Sequence, residues 1–544
     1  MKVADIIARI LKAEGVEYLF AYPVNHLIEA AAKVDIRTVI VRQERIGLHM
    51  ADAVGRLSSG KQIGVFCMQH GPGTENAFGG VAQAYGESSP IVVLPMGYPR
   101  NLANVDPNFS SALNYKHITK SCEQLLMPEA TVALMRRAFH AVRNGRPRPA
   151  LVEIPADLIH AEAPDDWTYT PALQTRYAPA ADDVDKAAAM LIAAERPVIY
   201  AGQGVHYAQA WDELRELAEL LEAPVTTTLS GKSAFPENHP LALGCANRAM
   251  PRPVWDAMNN ADVIFGIGNS FTITSFGIKV PAGKTLIHAT LDPADINKDL
   301  PVAHALVGDA KLTLQMLNEA IRERLGGKPR GRRDALAASI KAGKEAWLAQ
   351  WKPKLTSSET PLSPYRVIAD LIRTVDPNNA IITHDAGSPR DQLSPFWESS
   401  LPLSYIGWGK TTQLGYGLGL AMGAKLLNPN KICINVWGDA AIGFTGMDFE
   451  TAVRERIPIL SILLNNFSMA IELPIMQVST EKYRSTDISG NYADMAKAFG
   501  GYGERVTTPD QIIPAIKRGI QKTQEGTPAL LEFITAKEIQ ISSF

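Results

Sequence analysis

The sequence predicts an α/β protein with three doubly wound parallel-sheet domains. Short apolar runs alternate with longer stretches whose apolar residues recur at helical spacing, which is typical of βαβ units. These runs fall into three sets, separated by one irregular stretch and one basic stretch. The chain has 544 residues, a length that favours about three or four domains.

The first domain is predicted over residues 1–165. Ile6–Ala13 has helical spacing, and the apolar runs expected to form strands are Thr38–Val41, Ile63–Met68, Ile91–Met96 and Ala150–Ile154. Residues 163–183 are rich in Pro, Asp and aromatic side chains without a period, so we expect a linker there.

The second and third domains are predicted over residues 185–330 and 360–540. The second set of apolar runs is Pro197–Tyr200, Pro224–Thr228, Val263–Ile267 and Thr285–Leu291. From Gly326 the chain becomes basic and helical, which suggests a surface connector between the two domains. The third set is Ala380–Thr383, Ile432–Val436, Ile459–Leu464 and Ala529–Ile534.

The composition excludes several classes of protein. Hydrophobic residues make up 46% and charged residues 20%, which rules out a mainly disordered chain. The net charge is −2 and no basic excess or Lys/Arg-rich run marks a nucleic-acid or membrane surface, so we expect neither kind of partner. The four cysteines form no CxxC pair, which argues against a zinc site. The start does not resemble a signal peptide, and we expect a cytoplasmic enzyme that acts on a small molecule.

The strongest local signal is WGDAAIGFTGMDFETAVRERIPILSILLNN. One apolar strand ends at Asp439 and the next ends at Asn466, so both side chains should meet where open α/β sheets bind ligands. Their oxygens, with a nearby carbonyl, suit Mg²⁺ that bridges a diphosphate. Gly438, Ala440 and Ala441 would let the backbone approach phosphate closely. The alternative is a plain strand–turn–helix unit with a capping aspartate.

This segment resembles the GDG…NN signature of the thiamine-diphosphate (ThDP) enzymes in the acetolactate synthase and pyruvate decarboxylase superfamily. The chain has GDA instead of GDG, and Ala also occurs there in the acetolactate synthase branch. The resemblance implies that Asp439, the Asn466 side chain and the Ser468 carbonyl bind Mg²⁺. It also places Met469 at the cofactor. The family has pyrimidine-binding, central and diphosphate-binding domains, and the three sets match that order.

The segment VRQERIGLHMADAVGRLSSGK resembles the part of the family that carries its catalytic glutamate after a strand, and Glu44 matches that position. A carboxyl group bonded to N1′ of the aminopyrimidine promotes the imino tautomer, whose 4′-imino group can take the C2 proton of the thiazolium. Without this context, a surface salt bridge would be the simpler role for Glu44.

Other segments resemble parts of the family that contact the cofactor. In QHGPGTENAFGG, Pro72 and Asn76 match positions against the pyrimidine. In THDAGSPRDQ, Gly387 and Ser388 match residues at the diphosphate.

The segment GWGKTTQLGYGLGLAMGAK resembles the family's GTMGYGLPAAIGA. Leu414 matches the apolar residue that holds the cofactor bent, although ordinary core packing is the alternative. The carbonyl of Thr412 would accept from the 4′-amino group.

The expected substrate-facing positions depart from acetolactate synthases. His26 lies in a Tyr-Pro-Val-Asn-His stretch where the family commonly has a Pro-Gly-Gly loop, and His70 replaces a small residue. Ser110 stands where many acetolactate synthases have a glutamine. Both histidines are candidate acid–base groups, and the alternative is that each is satisfied within its loop.

Glu472 follows Asn466 by the spacing at which pyruvate-decarboxylase-type enzymes carry a catalytic glutamate. It could relay protons to the reacting carbon, or it could be a carboxylate on a helix surface. The stretch GFTGMDFETAVRERIPI is closer to the oxalyl-CoA decarboxylase and 2-hydroxyacyl-CoA lyase branch, whose basic ADP-binding region we do not identify.

The resemblance also bears on FAD and on assembly. FAD-binding members often have an Arg-rich stretch where this chain has Asn269–Thr274 without Arg, which disfavours FAD. Active sites of the family form between two chains, so we expect a homodimer or homotetramer. In it, Glu44 of one subunit would serve the cofactor held by Asp439 and Asn466 of another.

The resulting hypothesis is a ThDP- and Mg²⁺-dependent lyase or transferase that breaks or forms carbon–carbon bonds, foremost an acetolactate-synthase-like 2-oxo acid decarboxylase/carboligase. One alternative is a lyase that acts on a 2-hydroxyacyl-CoA or a diketone. Another is a non-catalytic ThDP-binding homologue, which would not need Glu44. A flavin-dependent oxidase is a further variant. The sequence does not identify the substrate.

Overall fold

The computed structural model describes all 544 residues and contains three six-stranded parallel sheets, which confirms the predicted fold class. The chain forms two compact units. The first consists of Met1–Thr175, Thr411–Asn430 and Phe444–Pro458; the second consists of Arg176–Lys410, Lys431–Gly443 and Ile459–Phe544. No helix combines the length and apolar character needed to span a membrane.

The first sheet has the strand order β2-β1-β3-β4-β6-β5. Its strands are β1 (Tyr18–Ala21), β2 (Arg37–Ile40), β3 (Gly64–Met68), β4 (Ile91–Gly97), β5 (Ser121–Gln124) and β6 (Ala150–Pro155). The helices in this part of the chain are α1 (Val3–Ala13), α2 (Leu27–Ala32), α3 (Glu44–Leu57), α4 (Pro72–Gly86), α5 (Ser111–Asn114) and α6 (Thr131–Arg143).

The second sheet has the order β12-β11-β10-β7-β8-β9. Its strands are β7 (Pro197–Ala201), β8 (Val225–Thr228), β9 (Ala242–Ala246), β10 (Val263–Ile267), β11 (Thr285–Thr290) and β12 (His304–Val307). The helices here are α7 (Ala181–Ala193), α8 (Gly204–Ala208), α9 (Trp211–Leu221), α10 (Arg252–Asn260) and α11 (Ala310–Leu325).

The third sheet has the order β14-β13-β15-β16-β18-β17. Its strands are β13 (Ala380–His384), β14 (Tyr405–Ile406), β15 (Ile432–Gly438), β16 (Leu460–Asn465), β17 (Tyr502–Val506) and β18 (Ala529–Ile534). The helices are α12 (Arg333–Leu355), α13 (Pro364–Thr374), α14 (Ser388–Leu393), α15 (Tyr416–Leu427), α16 (Asp439–Thr445), α17 (Phe449–Arg454), α18 (Gln477–Tyr483), α19 (Tyr492–Ala498) and α20 (Pro509–Gln524).

Each predicted apolar run coincides with a strand to within about two residues. Most of the strands that the pattern missed lie at sheet edges, namely β5, β9, β12, β14 and β17. An edge strand has a neighbour on one side only and needs fewer apolar residues. β5, for example, reads SCEQ and is only partly buried along its whole length. The remaining missed strand, β1, has only four residues.

The two predicted connectors differ in structure. The stretch before α7 has no helix, and α7 begins within the last residues of the predicted linker. The basic stretch after Gly326 forms α12, as predicted, but it is more than a surface connector. Trp347 and Trp351 on one face of α12 are buried in the core around the third sheet, while most other residues of the helix are exposed or partly exposed. The boundaries 1–165, 185–330 and 360–540 stay a prediction.

In the first and third sheets, the chain adds its second strand on one side of the first strand and its third strand on the other side, so the strand order reverses there. β1 is flanked by β2 on one side and β3 on the other, and β13 is flanked in the same way by β14 and β15. Open α/β sheets bind ligands beyond the carboxyl ends of the strands at such a point. The candidate site residues follow these strand ends.

Candidate active site

Two side chains from neighbouring strands of the third sheet converge on one backbone amide. Asp439 follows β15 and Asn466 follows β16, which pair in parallel with Gly438 opposite Leu464. The Ser468 N–H donates to Asp439 Oδ2 at 3.0 Å and to Asn466 Oδ1 at 2.9 Å. The two predicted cation ligands therefore lie side by side, as expected.

The electrostatics of Asp439 suit a bound cation. The carboxyl is buried, and burial raises its pKa above the usual range, while backbone N–H groups, among them those of Ser468 and Ala440, oppose that rise. The Ala440 N–H donates to Asp439 Oδ1 at 3.0 Å. Backbone dipoles thus offset only part of the cost of burying this charge. Mg²⁺ can be bound by one carboxylate and neutral oxygens of a protein when phosphate oxygens supply its remaining ligands.

The other predicted diphosphate contacts lie around the same edge of this sheet. Gly387 has φ +83°, a conformation that side chains with a Cβ rarely adopt, and Ser388 begins α14 directly after it. A Cβ on Gly387 would lie 3.5 Å from Ile471 Cδ1. The loop after β13 and the turn after β16 are therefore neighbours, and Met469 in that turn donates its N–H to Thr486 O at 2.8 Å.

Gly438, Ala440 and Ala441 form the junction between β15 and α16, so small residues line the start of that helix, as predicted. A Cβ on Gly438 would be 3.6 Å from Pro389 Cγ, which is ordinary contact. Packing within the chain therefore does not require glycine there.

Glu472 closes a short 3-10 turn, Ala470–Glu472, and is half-buried. Its backbone N–H donates to Met469 O at 2.9 Å. The turn keeps Glu472 close to the Asn466–Ser468 segment, where a proton carrier was predicted.

In the first unit, Glu44 is the first residue of α3, four positions after the end of β2. Its side chain is buried, and burial raises the pKa of the carboxyl, while a hydrogen bond with the Asn76 side chain opposes the rise. Glu44 and Asn76, predicted separately, are thus direct partners. A Cβ on Gly73 would lie 3.4 Å from Glu44 Oε1, so the start of α4 closes tightly around this carboxyl.

Pro72 opens α4 and is exposed, as is Asn76 one turn later. Gly71 precedes the helix with φ +62°, and a Cβ there would lie 2.7 Å from the Tyr98 hydroxyl. The glycine-rich turn is therefore needed for the backbone path, as the sequence suggested.

The loop that carries Thr412 and Leu414 also belongs to the first unit, and Gln83 of α4 holds it. Gln83 Oε1 accepts from the Thr411 hydroxyl and, at 3.2 Å, from the Gln413 N–H. Gln83 Nε2 donates to Thr411 O at 3.3 Å. Leu414 is only partly buried, so it is not an ordinary core residue.

α15, which follows this loop, packs against α3, the helix that begins with Glu44. A Cβ on Gly419 would lie 2.5 Å from His49 Cβ, so only glycine allows this approach. His49 Nε2 also lies 3.3 Å from Gln413 Oε1. Burial lowers the pKa of this imidazole well below its usual value.

The two predicted histidines lie in different surroundings. His26 is exposed, and its ring meets that of His160 with centroids 4.2 Å apart. Its neighbour Asn25 is a structural residue that bonds to Met68 O and Leu94 O. His70 packs against the Tyr98 ring at 4.5 Å, and burial lowers its pKa.

Sequence reasoning missed Gln83, His160 and Asp448. Gln83 and His160 come close to predicted residues only through the fold. Asp448 directly precedes the short helix α17, where an isolated aspartate has the local signature of a helix cap. Its carboxylate instead accepts from the Arg42 N–H at 2.8 Å.

The edge of the second sheet next to Asn269–Thr274, the stretch on which the FAD prediction rests, is closed by contacts of its own backbone. The Gly204 N–H donates to Gly268 O at 2.8 Å across the carboxyl ends of β7 and β10. A Cβ on Gly202 would lie 2.4 Å from the same oxygen. Asn269, which follows, is buried and donates its side-chain N–H to Tyr200 O at 2.7 Å. The prediction that disfavours FAD stays a prediction.

Comparison with known protein families gives three matches along the chain. Residues 1–124 match the thiamine pyrophosphate enzyme N-terminal TPP binding domain, residues 184–317 the central domain, and residues 385–533 the C-terminal TPP binding domain.

Relatives align over nearly the full length. A probable acetolactate synthase large subunit of Methanocaldococcus jannaschii is 30% identical, covering 98% of this chain and 92% of that protein. The acetolactate synthase isozyme 3 large subunit of Escherichia coli is 28% identical, with 96% and 93% covered. An acetolactate synthase of Mycobacterium avium is 27% identical, with 99% and 88% covered.

Proposed function

Because the chain belongs to the family of thiamine pyrophosphate enzymes, we propose that it is a Mg²⁺-dependent 2-oxo acid decarboxylase/carboligase of the acetolactate synthase type. The family membership itself makes the chain a ThDP-dependent enzyme of the transferase or lyase type. The Mg²⁺ ion, the residue roles and the substrate class are the parts that we propose.

The convergence of Asp439 Oδ2 and Asn466 Oδ1 on the Ser468 amide carries the proposal. Because these two oxygens of different residues share one donor, they lie close to each other. With the Ser468 carbonyl, they would hold Mg²⁺ and, through it, the diphosphate. Gly387, Ser388 and the backbone around Gly438 would bind the phosphate oxygens, with Ala440, Ala441 and Met469 beside them.

When bound, ThDP would supply a carbon nucleophile at C2 of its thiazolium, which is the chemistry that cleavage of a 2-oxo acid requires. The role of Glu44 follows from its surroundings. Burial raises its pKa and so favours the protonated carboxyl, which can donate to a ring nitrogen such as N1′. Asn76 orients the carboxyl, and Pro72 forms part of the wall beside it.

The remaining predicted residues would orient the cofactor and handle protons. Leu414 would support the bent cofactor, and the Thr412 carbonyl would accept from the 4′-amino group. Glu472 would protonate the product carbon, and His26 and His70 would exchange protons with the substrate. The lowered pKa of His70 keeps its ring neutral, so it would begin the cycle as a base.

A cofactor-dependence assay tests the proposal. The purified protein is incubated with a panel of 2-oxo acids, with ThDP and Mg²⁺ added singly and together, and CO₂ and product mass are recorded. We expect turnover only when both are present, with a ketol or aldehyde product. Turnover of a 2-hydroxyacyl-CoA or a diketone without CO₂ would overturn the decarboxylase assignment. Equal turnover in the presence of a chelator would overturn the Mg²⁺ site.

We also propose that active sites form between subunits of a homodimer or homotetramer. Glu44 lies in the first compact unit, and Asp439 and Asn466 lie in the second. Inactive Glu44→Gln and Asp439→Ala chains, mixed under reassociating conditions, should regain roughly a quarter of wild-type activity, because half of the mixed dimers' sites combine two intact halves. No recovery, although mixed oligomers are shown by mass, would place both residues of a site in one chain.

A further inference from the structure

Asp448 holds the backbone two residues before Glu44. Its Oδ1 accepts from the Arg42 N–H at 2.8 Å and from the Thr451 hydroxyl at 2.8 Å. The side chain is buried. We propose that Asp448 is a positioning residue that fixes the start of α3 and thereby the direction of the Glu44 carboxyl. This inference rests on the role proposed for Glu44.

The bond to Asp448 is one of several polar contacts between the same two segments. Arg454 Nη2 donates to Ile40 O at 2.6 Å, and Arg37 Nη2 donates to Glu455 O at 2.9 Å. The segment from Asp448 to Glu455 thus holds both β2 and the connection that follows it. Among these contacts, only the bond from Asp448 is made to the backbone of the connection, next to the start of α3.

The start of α3 lacks a capping side chain. The preceding residue, Gln43, has extended backbone angles and its side chain makes no capping hydrogen bond. The usual stabilisation of a helix start by a capping side chain is therefore missing here. An external acceptor on the Arg42 N–H compensates for it, since it fixes the chain direction just before the first turn.

Asp448 is not simply a cap of its own helix. It precedes α17, but its side chain accepts no backbone N–H of that helix. Its hydrogen bonds go to the Arg42 backbone and to the Thr451 hydroxyl, and the second bond orients the carboxylate for the first. Because Asp448 accepts a hydrogen bond from the Arg42 backbone, it affects the geometry of the segment that contains Arg42.

Hydrogen exchange of the protein without cofactor tests the contact directly. The Arg42 amide should exchange slowly in the wild type and at least about tenfold faster in Asp448→Ala, because its acceptor is gone. Asp448→Asn keeps Oδ1 as an acceptor and should remain close to the wild type. Fast exchange of this amide in the wild type would overturn the inference, even if the alanine variant does not fold.

The consequence for Glu44 is measured with ThDP bound, as the rate of proton–deuterium exchange at C2. A displacement of about 1 Å can cost ~10²-fold in rate, so Asp448→Ala should slow C2 exchange by about 10- to 100-fold without loss of ThDP. Asp448→Asn should restore the rate. Glu450→Gln is the control, since Glu450 Oε2 lies 3.7 Å from the Arg42 guanidinium and does not touch the Arg42 amide.

Equal C2 exchange in Asp448→Ala and wild type would overturn the positioning role. The proposed function fails in a different way: if Glu44→Gln leaves C2 exchange unchanged, Glu44 has no such role. The amide exchange of Arg42 still reports whether Asp448 holds the segment.

Discussion

The first and third sheets have the same strand order, when the strands of each are numbered from its own start: 2-1-3-4-6-5. In each, the connection after the second strand leads to a helix, α3 or α15, and these two helices pack together in the first unit. The second sheet has a different order. The first and third sheets therefore place loops at equivalent positions, but the loops carry different side chains.

The chemistry of the two edges differs because of what surrounds each buried carboxyl. Burial raises the pKa of both Glu44 and Asp439. For Glu44, burial outweighs the opposing hydrogen bond with the Asn76 side chain, which favours a neutral carboxyl that can donate a proton. Asp439 shares the Ser468 amide with an oxygen of Asn466, which suits a cation. One topology thus carries both of the edges that we propose, an acid–base edge at Glu44 and a metal-binding edge at Asp439 and Asn466.

The comparison predicts its largest effect at the acid–base edge. Glu44→Gln should slow deprotonation of C2 by ~10²–10⁴-fold, because the neutral amide cannot exchange a proton at N1′. ThDP should still bind, since the third-sheet edge is intact. Exchange at C2, followed by NMR, measures the effect. Glu75→Gln, an exposed carboxylate on α4, is the control. Wild-type exchange in the Glu44 variant would remove Glu44 from the mechanism.

A change at the proposed metal-binding edge should weaken the binding of ThDP itself, whereas the Glu44 variant should still bind it. Asp439→Ala removes the only charged protein ligand that we assign to Mg²⁺, so Mg²⁺-dependent retention of ThDP should be lost. Equilibrium dialysis with and without Mg²⁺ measures it, and Asp494→Ala, which breaks an exposed pair with Lys497, is the control. If affinity and metal dependence do not change, the cation site lies elsewhere.

Glu472 makes the two edges more alike, because its proposed role adds an acid–base group to the edge that carries Asp439 and Asn466. Glu472→Gln should slow product release by about 10²-fold while CO₂ is still formed in an initial burst, since only the late proton transfer is lost. Rapid-quench measurement of CO₂ and product separates the two steps. Glu481→Gln on α18 is the exposed control. Normal product release in the Glu472 variant would favour chemistry in which Glu472 has no part.

The interior strands, and the closeness of Asp439 and Asn466 at their ends, were the most predictable parts of the molecule. The strands of the third sheet that precede Asp439 and Asn466 are fully or almost fully buried, so their sequences are mostly apolar and end just before these side chains. The position of each residue along its strand then determines which residues meet. Edge strands such as β5 and β17 carry polar residues and gave no such signal.

Contacts between distant segments could not be predicted in this way. Gln83 looks like any polar residue within an alanine- and glycine-rich helix, and only the fold places it against Thr411 and Gln413. The same holds for Asp448 and Arg42, which lie far apart in sequence. Periodicity indicates which face of an element is buried, but it does not indicate which partner that face meets. Glu44 and Asn76 were each singled out only through the resemblance, and the hydrogen bond between them was not predicted.

The smallest effect concerns Asp448, a third buried carboxyl whose surroundings differ from both edges. Burial, with a contribution from the Glu450 carboxylate, raises the pKa of Asp448 from 3.8 to about 6, against hydrogen bonds from Arg42 and Thr451 and the charge of Arg42. The folded state therefore favours the protonated form. Below the unfolded pKa both states are protonated, and no penalty arises. As the pH rises from about 4 to about 6, the unfolded state ionises first, and stability is lost.

Asp448→Asn removes this titration and should alter the pH dependence of stability. The difference in unfolding free energy between the variant and the wild type should increase by about 2 kcal/mol from pH 4 to pH 8. Any fixed cost of burying the new amide group is the same at both pH values and cancels in this change. Native-state hydrogen exchange of α3 and α15 in urea is the measurement, because a large chain need not unfold in one step. A difference that is constant with pH would show that Asp448 ionises as readily in the fold as in the unfolded chain, and its burial would then be no obstacle to the charge.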